Sequence, residues 1–168
     1  PSAVAPVLKR YKSWCKMTNL DNQFEYWNSV ASVKTFTHQI DIERFRFIVS
    51  NKSRILDYGC GYGRNCYELH RCGFKNVVGV DSSKNMIERG HNEFPHLDLH
   101  TLEQSDILNY SETFDAIILF AVLTCIPTDK GQQTLLDEMF RLLRPGGVIY
   151  ISDYWLQNNE RNLIRYQK

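Results

Sequence analysis

Little in this sequence pulls in one direction. Its 168 residues carry 20 Lys and Arg against 19 Asp and Glu, a net charge of +1, which excludes a global attraction to nucleic acid or to an acidic membrane surface. No stretch is long and apolar enough to cross a bilayer. The longest apolar run, Ala116–Ile126 (AIILFAVLTCI), has the length of a buried strand plus a turn. There is no apolar signal core at the N-terminus, no internal repeat and no low-complexity tract. Pro1 in place of Met suggests a trimmed or partial chain. Cysteine is present but odd in number: Cys15, Cys60, Cys66, Cys72 and Cys125. That argues against a disulfide framework and for reduced thiols in the cytoplasm. Cys60, Cys66 and Cys72 recur every six residues, and on a helix that spacing turns a side chain by about 240°. Three such thiols diverge, so no metal site is expected and the cysteines read as small, mostly buried apolar residues.

What is present is alternation. One domain with one sizeable core suits this length, and from Ser53 onward strand-like and helix-like segments take turns. "RILDYG" and "NVVGVD" are short apolar strands, "LDLHTLEQ" alternates as a half-buried strand does, and "FDAIILFAVL" is continuously apolar like a strand covered on both faces. Between them, "RNCYELHRCG" reads as a helix closed by Gly73. "SKNMIERGHNEF" reads as one capped by Ser82 or Ser83 and stopped by Pro95. Asp129 and Gln132 fit a capping box ahead of a helix with Leu135, Leu136, Met139, Leu142 and Leu143 on one stripe; Pro145-Gly146-Gly147 would end it before the fifth strand, "VIYISDY". This order predicts an α/β, doubly wound parallel sheet with helices on both faces. Residues 1–52 precede it as a helical or lid segment, and 53–168 form the core. Within the former, "DIERFRFIVS" is helical with Ile42, Phe45 and Ile48 or Val49 inward, and the aromatic-rich "FEYWNSVASVKTFTH" is a lid or substrate wall. Lys9, Arg10, Lys12 and Lys16 read as a solvated face, with a phosphate-binding arm as the alternative.

The chemistry gathers at "ILDYGCGYGR", Ile55–Arg64. Glycines at 59, 61 and 63 directly behind a strand either make a tight turn or let a ligand lie against the backbone. In such a sheet, ligands bind beyond the carboxyl ends of the strands, and a helix opening near Arg64 favours negative charge there. Asp81 ends the second strand about twenty residues on, where an acid can accept both hydroxyls of a ribose. Asp106 follows the third strand, where a carboxylate can accept from an amino group such as that of adenine. Each has a plain alternative as a cap or turn residue; together they point to an adenosine ligand. Arg64 occupies the position where the dinucleotide fingerprint needs its third glycine, which disfavours a close pyrophosphate fit.

D-x-G-C-G-x-G resembles the first motif of the class I S-adenosylmethionine-dependent methyltransferases. "VVGVDSSKNMIERG", "SDI", "FDAIILFAVLTCIP" and "LLRPGGVIYISD" resemble the later motifs in order and spacing, across roughly Ser53–Tyr154. The likeness is nearest to the methyltransferase-type-11 group. It implies a Rossmann-like fold and S-adenosyl-L-methionine as cofactor, leaving S-adenosyl-L-homocysteine. By position, Asp57, Gly59, Cys60, Gly61 and Gly63 would cradle the methionine part. Asp81 would hold the ribose, Ser82 and Met86 would flank ribose and adenine, and Asp106 with Ser105 and Ile107 would hold the adenine. Phe120 and Ala121 would meet the methionine end. Arg64 is either a partner of the cofactor carboxylate or a solvated arginine at a helix start.

Transfer of a methyl group from a sulfonium needs alignment and a dry site more than covalent help. Aromatic faces stabilise such a cation by roughly 0.5–2 kcal/mol, and Tyr26, Trp27 and Phe36 are candidates on the substrate side. His38 is the best single candidate for a proton acceptor, a satisfied surface histidine being the alternative; His91, His96 and His100 read as surface positions. The fourth-strand end reads "LFAVLTCIP" rather than the Asn/Asp-Pro-Pro-Tyr associated with amino-group methylation in nucleic-acid enzymes, which argues against a base or glutamine amide as acceptor; the resemblance to the type-11 group implies a small-molecule acceptor. The resembled family closes its sheet with two further strands. Only the polar, helix-like "WLQNNERNLIRYQK" follows the fifth strand here, so the expected sheet lacks the last two, leaving an edge through which a homodimer could form. A non-catalytic S-adenosylmethionine-binding module or partner subunit is the alternative function.

Overall fold

The computed structural model describes residues 21–126 and 128–154. The basic cluster at Lys9–Lys16, Cys15 and the tail from Trp155 onward lie outside the described residues. Two helices, α1 (Asp21–Val30) and α2 (Ile42–Ile48), lead into alternating strands and helices. These are β1 (Ile55–Tyr58), α3 (Arg64–Arg71), β2 (Val77–Asp81), α4 (Lys84–Glu93), β3 (Asp98–Thr101), β4 (Phe114–Phe120), α5 (Asp129–Leu142) and β5 (Leu143–Ser152). All strands pair parallel in the order β3-β2-β1-β4-β5, the doubly wound α/β arrangement that the alternation predicts. Strand order reverses beside β1, where β2 and β4 flank it, so the crevice for a ligand opens there.

The central strands are apolar on both faces because both are covered. In β1 and β4, neighbouring residues part to opposite sides. Leu56, Ile117 and Leu119 join Leu135, Met139 and Leu142 of α5, and Ile55, Ala116 and Ile118 join Phe45 of α2, Leu69 of α3 and Ile87 of α4. Strand β3 shows the half-buried alternation, with Leu99 and Thr101 inward. On α2, Phe45 and Val49 are buried while Ile48 is 49% exposed, which resolves the choice left open between positions 48 and 49.

Local chemistry sets the element ends. Ser83 caps α4 by accepting from the Met86 N–H, and Gly73, at φ 96°, lies just beyond α3. Two details correct the sequence reading. The α5 cap is Thr128, whose hydroxyl accepts from the Gly131 N–H at 3.1 Å, and the Gln132 amide donates to the Leu123 and Ile126 carbonyls instead of closing a capping box. Helix α5 also stops at Leu142, before Pro145-Gly146-Gly147. Leu143 already pairs with Phe114, and the register resumes at Val148 opposite Ala116, so Pro-Gly-Gly forms an irregular bulge inside β5. Among the described residues the sheet has five strands, and β5 is an edge.

Candidate functional site

A cavity of about 370 Å³ opens beyond the carboxyl ends of β1, β2 and β4. Its floor is the glycine loop. Gly59 and Gly61 hold φ values of 77° and 58°, a region that costs other residues roughly 1–2 kcal/mol. Space forbids a side chain there as well. A Cβ on Gly59 would lie 2.7 Å from Val122 Cγ2, and one on Gly61 would lie 2.7 Å from Phe36 Cε2. The loop is thus gripped between the β4 tip and the segment before α2. At that β4 tip Ala121, a non-glycine residue, also takes a positive φ of 56°, strain of the kind that concentrates at functional sites.

Asp81 ends β2 and faces this cavity. Its two oxygens accept from the backbone N–H groups of Gly61 and Ser83, both at 2.8 Å. Burial pushes its carboxyl above the ordinary range, and these backbone bonds pull the other way. A carboxylate has about four acceptor positions, so two remain for donors from a ligand. Asn65 Oδ1 and Arg64 Nε are buried without a hydrogen-bond partner, and both residues line the same cavity. The buried Met86 adds an apolar face.

The roof comes from residues 31–38. From Lys34 to Gln39 burial alternates: Lys34, Phe36 and His38 are half-buried, while Thr35, Thr37 and Gln39 are exposed. Two arginines of the core pin this strap. Arg89 of α4 donates to the Ala31 and Lys34 carbonyls at 2.8 and 2.6 Å, and Arg64 donates to the His38 carbonyl. Phe36 stacks on Tyr62 with centroids 5.3 Å apart, and Trp27 of α1 lies 6.1 Å from Phe36. Asn28 ties α1 to the start of α4, accepting from the Ser83 hydroxyl at 2.7 Å and the Asn85 N–H at 3.1 Å.

The residues expected at a site therefore divide. Gly59, Cys60, Gly61, Arg64, Asp81, Ser82, Met86, Phe120 and Ala121 line the cavity, as do Trp27, Phe36 and His38. Asp57, Gly63, Ser105, Asp106, Ile107 and Tyr26 do not. Asp57 is fully buried beneath the loop. Its Oδ2 accepts from the Cys66 thiol at 3.4 Å, its Oδ1 has no partner, and burial raises its pKa to about 7. Gly63 caps α3 with its open side toward Leu99. Ser105 and Ile107 are buried, and Tyr26 packs edge-on against Trp27. Asp106 is exposed and accepts from the Tyr110 hydroxyl at 2.7 Å. Cys60 and Cys66 are both buried, and a Cβ on Gly79 would meet both sulfurs at 3.0 Å or less. Burial holds the Cys60 thiol well above its ordinary value. Lys34, Val122 and Thr124 also line the cavity, from stretches that the sequence marks only as the lid segment and the fourth-strand motif, and so do Asn65 and Tyr154, which the sequence does not single out. Among the described residues no cluster of His, Cys, Asp or Glu could hold a metal, and no helix is long and apolar enough to cross a membrane.

S-adenosylmethionine fits these residues. Asp81 has acceptor capacity for a ribose diol, the unpartnered Asn65 Oδ1 and Arg64 Nε complement an ammonium and a carboxylate, and the side-chain-free loop leaves backbone exposed to the ligand.

Comparison with known proteins agrees. A family model described as a methyltransferase domain matches residues 49–167. The chain is 34% identical over 120 residues to an arsenite methyltransferase of Mus musculus, covering 61% of this chain and 31% of that protein. It is 30% identical over 129 residues to the sterol 24-C-methyltransferase ERG6A of Gibberella zeae, covering 73% and 31%. Among solved structures, one described as the DhpI-SAM-HEP complex shares the fold at TM-score 0.62 and 22% identity, covering 90% of this chain and 72% of that one. The chain spans about a third of the length of these curated relatives. On the cradle geometry and this match together, the chain belongs to the class I S-adenosylmethionine-dependent methyltransferases, as a methyltransferase domain of that fold.

Proposed function

We propose that this protein methylates a small molecule in the cavity between the glycine loop and the strap. The observation that carries the reading is the conjunction of floor and roof: cofactor-type acceptors and donors below, and an aromatic wall of Trp27, Phe36 and Phe120 above. When bound, the cofactor supplies an activated methyl group on a sulfonium. The chain's own residues then do the rest. Gly59, Cys60, Gly61 and Ala121 shape the pocket for the amino-acid end, Asn65 and Arg64 meet its charged groups, and Asp81, Ser82 and Met86 hold the nucleoside. The aromatic faces favour positive charge by roughly 0.5–2 kcal/mol and keep water out. The acceptor enters from the strap side, between His38, Phe120 and Tyr154. The adenine is taken near Leu102, which lines the cavity, rather than by Asp106, which does not. We further propose residues 1–52 as a lid unit on a 53–168 core, a cytoplasmic location on the strength of the free thiols, and pairing of two copies along the β5 edge. Nucleic acid is not the substrate on this reading, because net charge is near zero and the fourth-strand end reads LFAVLTCIP.

Titration calorimetry with S-adenosylmethionine and S-adenosylhomocysteine tests the cofactor site; binding of neither refutes the proposal. Transfer of a labelled methyl group to small hydroxyl, thiol and amine acceptors then separates catalysis from mere cofactor binding.

A further inference from the structure

Helix α1 meets the start of α4 through Asn28. Its Oδ1 accepts from the Ser83 hydroxyl at 2.7 Å and from the Asn85 N–H at 3.1 Å, and its carbonyl accepts from the Asn85 side-chain amide at 3.0 Å. Ser83 is also the cap of α4, its Oγ accepting from the Met86 N–H at 3.2 Å. The Ser83 N–H donates in turn to Asp81 Oδ1 at 2.8 Å. Hydrogen bonds therefore run from Asn28 through Ser83 to the carboxylate that faces the cavity, from a residue 55 positions before Ser83 in sequence. Asn28 itself does not line the cavity.

Cavity walls stand at both ends of this link. Trp27, the neighbour of Asn28 on α1, lines the cavity, and so do Asp81, Ser82 and Met86 at the other end. A ligand that touches two bodies across one interface holds them together, and by reciprocity whatever holds the bodies together favours the ligand. The Ser83 hydroxyl has one proton to give. Asn28 fixes its direction, which leaves a lone pair for the Met86 N–H and steadies the turn that carries Asp81 and Ser82. We infer that Asn28 is a positioning residue for the nucleoside part of the cofactor, coupling the docking of α1 to occupation of the cavity by way of Ser83. This rests on the methyltransferase reading above and deepens it, because it makes α1 a responsive part of the cofactor site. Further along α4, Arg89 holds the Ala31 carbonyl just past the end of α1 at 2.8 Å. The helix therefore stays attached when Asn28 is changed, and loss of coupling is separable from loss of fold.

The test joins calorimetry with S-adenosylhomocysteine to amide hydrogen exchange on the full chain. In the wild type, saturation with S-adenosylhomocysteine should slow exchange of the α1 amides, residues 24–30, about tenfold. Asn28→Ala should weaken S-adenosylhomocysteine binding about threefold to tenfold, as for loss of one hydrogen bond, and should shrink the slowing of α1 exchange that the ligand brings. Asn28→Asp keeps both acceptor positions and suits a helix N-terminus, so it should bring affinity back to within about twofold of the wild type. A merely structural bond gives a different result: Asn28→Ala loosens α1 to the same degree with and without ligand, and affinity is unchanged. That outcome overturns the inference, as does wild-type α1 exchange indifferent to the ligand or an Asn28→Asp variant that binds no better than Asn28→Ala; each leaves the methyltransferase reading intact. Absence of S-adenosylhomocysteine binding by the wild type overturns both.

Discussion

The floor and the strap of the cavity are built in opposite ways. The floor is local: Gly59, Gly61 and Asp81 come from one strand–helix–strand unit, and the Gly61 N–H bond to Asp81 closes it across twenty residues. The strap has no regular secondary structure of its own and is held by partners far away, Arg89 at positions 31 and 34, Arg64 at 38, and Ser152 on β5. A floor of this kind forms whenever the β-α-β unit folds. A strap of this kind forms only once the tertiary structure has assembled, so the two should fail separately.

The most severe expected effect concerns the buried base of the floor. Asp57 has its pKa raised from 3.8 to about 7 by burial. A carboxyl whose folded pKa exceeds its unfolded one binds its proton more tightly in the native state, so stability is greatest below about pH 4 from this group and falls as pH rises toward 7. The full cost, at most about 4 kcal/mol, is then present above pH 7. Asp57→Asn should remove that slope and leave the variant more stable than wild type at pH 8, read by urea unfolding at several pH values. A slope unchanged by the substitution would show that Asp57 is not its source. Next, Asp81→Ala should weaken S-adenosylhomocysteine binding by about 1–3 kcal/mol, because it removes the acceptor proposed for the ribose and orphans two backbone donors; calorimetry giving unchanged affinity would remove Asp81 from the site. Arg89→Met acts on the strap. It should strip hydrogen-exchange protection from residues 31–38 by about 1–2 kcal/mol of local stability while the sheet amides keep theirs. Loss of protection throughout would mean that floor and strap are one cooperative unit. The smallest effect is expected for Phe36→Leu, which forfeits the stack on Tyr62 and about 0.5–1.5 kcal/mol of strap stability in the same experiment.

This division also explains what could be read from sequence. The strand order, the glycine loop and Asp81 were legible because spacing along one β-α-β unit dictates where they meet. Asp106 had the right spacing, but it is exposed, accepts from the Tyr110 hydroxyl one turn of a short 3-10 helix away, and does not line the cavity. Thr128 and Asp129 are adjacent and both good caps, so the choice between them depended on where the chain leaves Ile126, a tertiary matter. Asn65 and Tyr154 gave no signal, since an asparagine inside a helix and a tyrosine after a strand are ordinary residues until the fold brings them to one cavity. The strap segment was legible as an aromatic wall but not as a pinned one, because the pins Arg64, Arg89 and Ser152 are 26, 55 and 114 residues from the groups they hold.

A strap fastened at both ends has a kinetic consequence. Phe36 closes over Gly61 with no room for even a methyl group between them, so a ligand that lies against Gly61 on that side needs the segment to lift first. The fastenings of the strap then contribute to its residence time. Loosening Arg89 should quicken entry and exit together, which would speed turnover wherever product departure is the slow step.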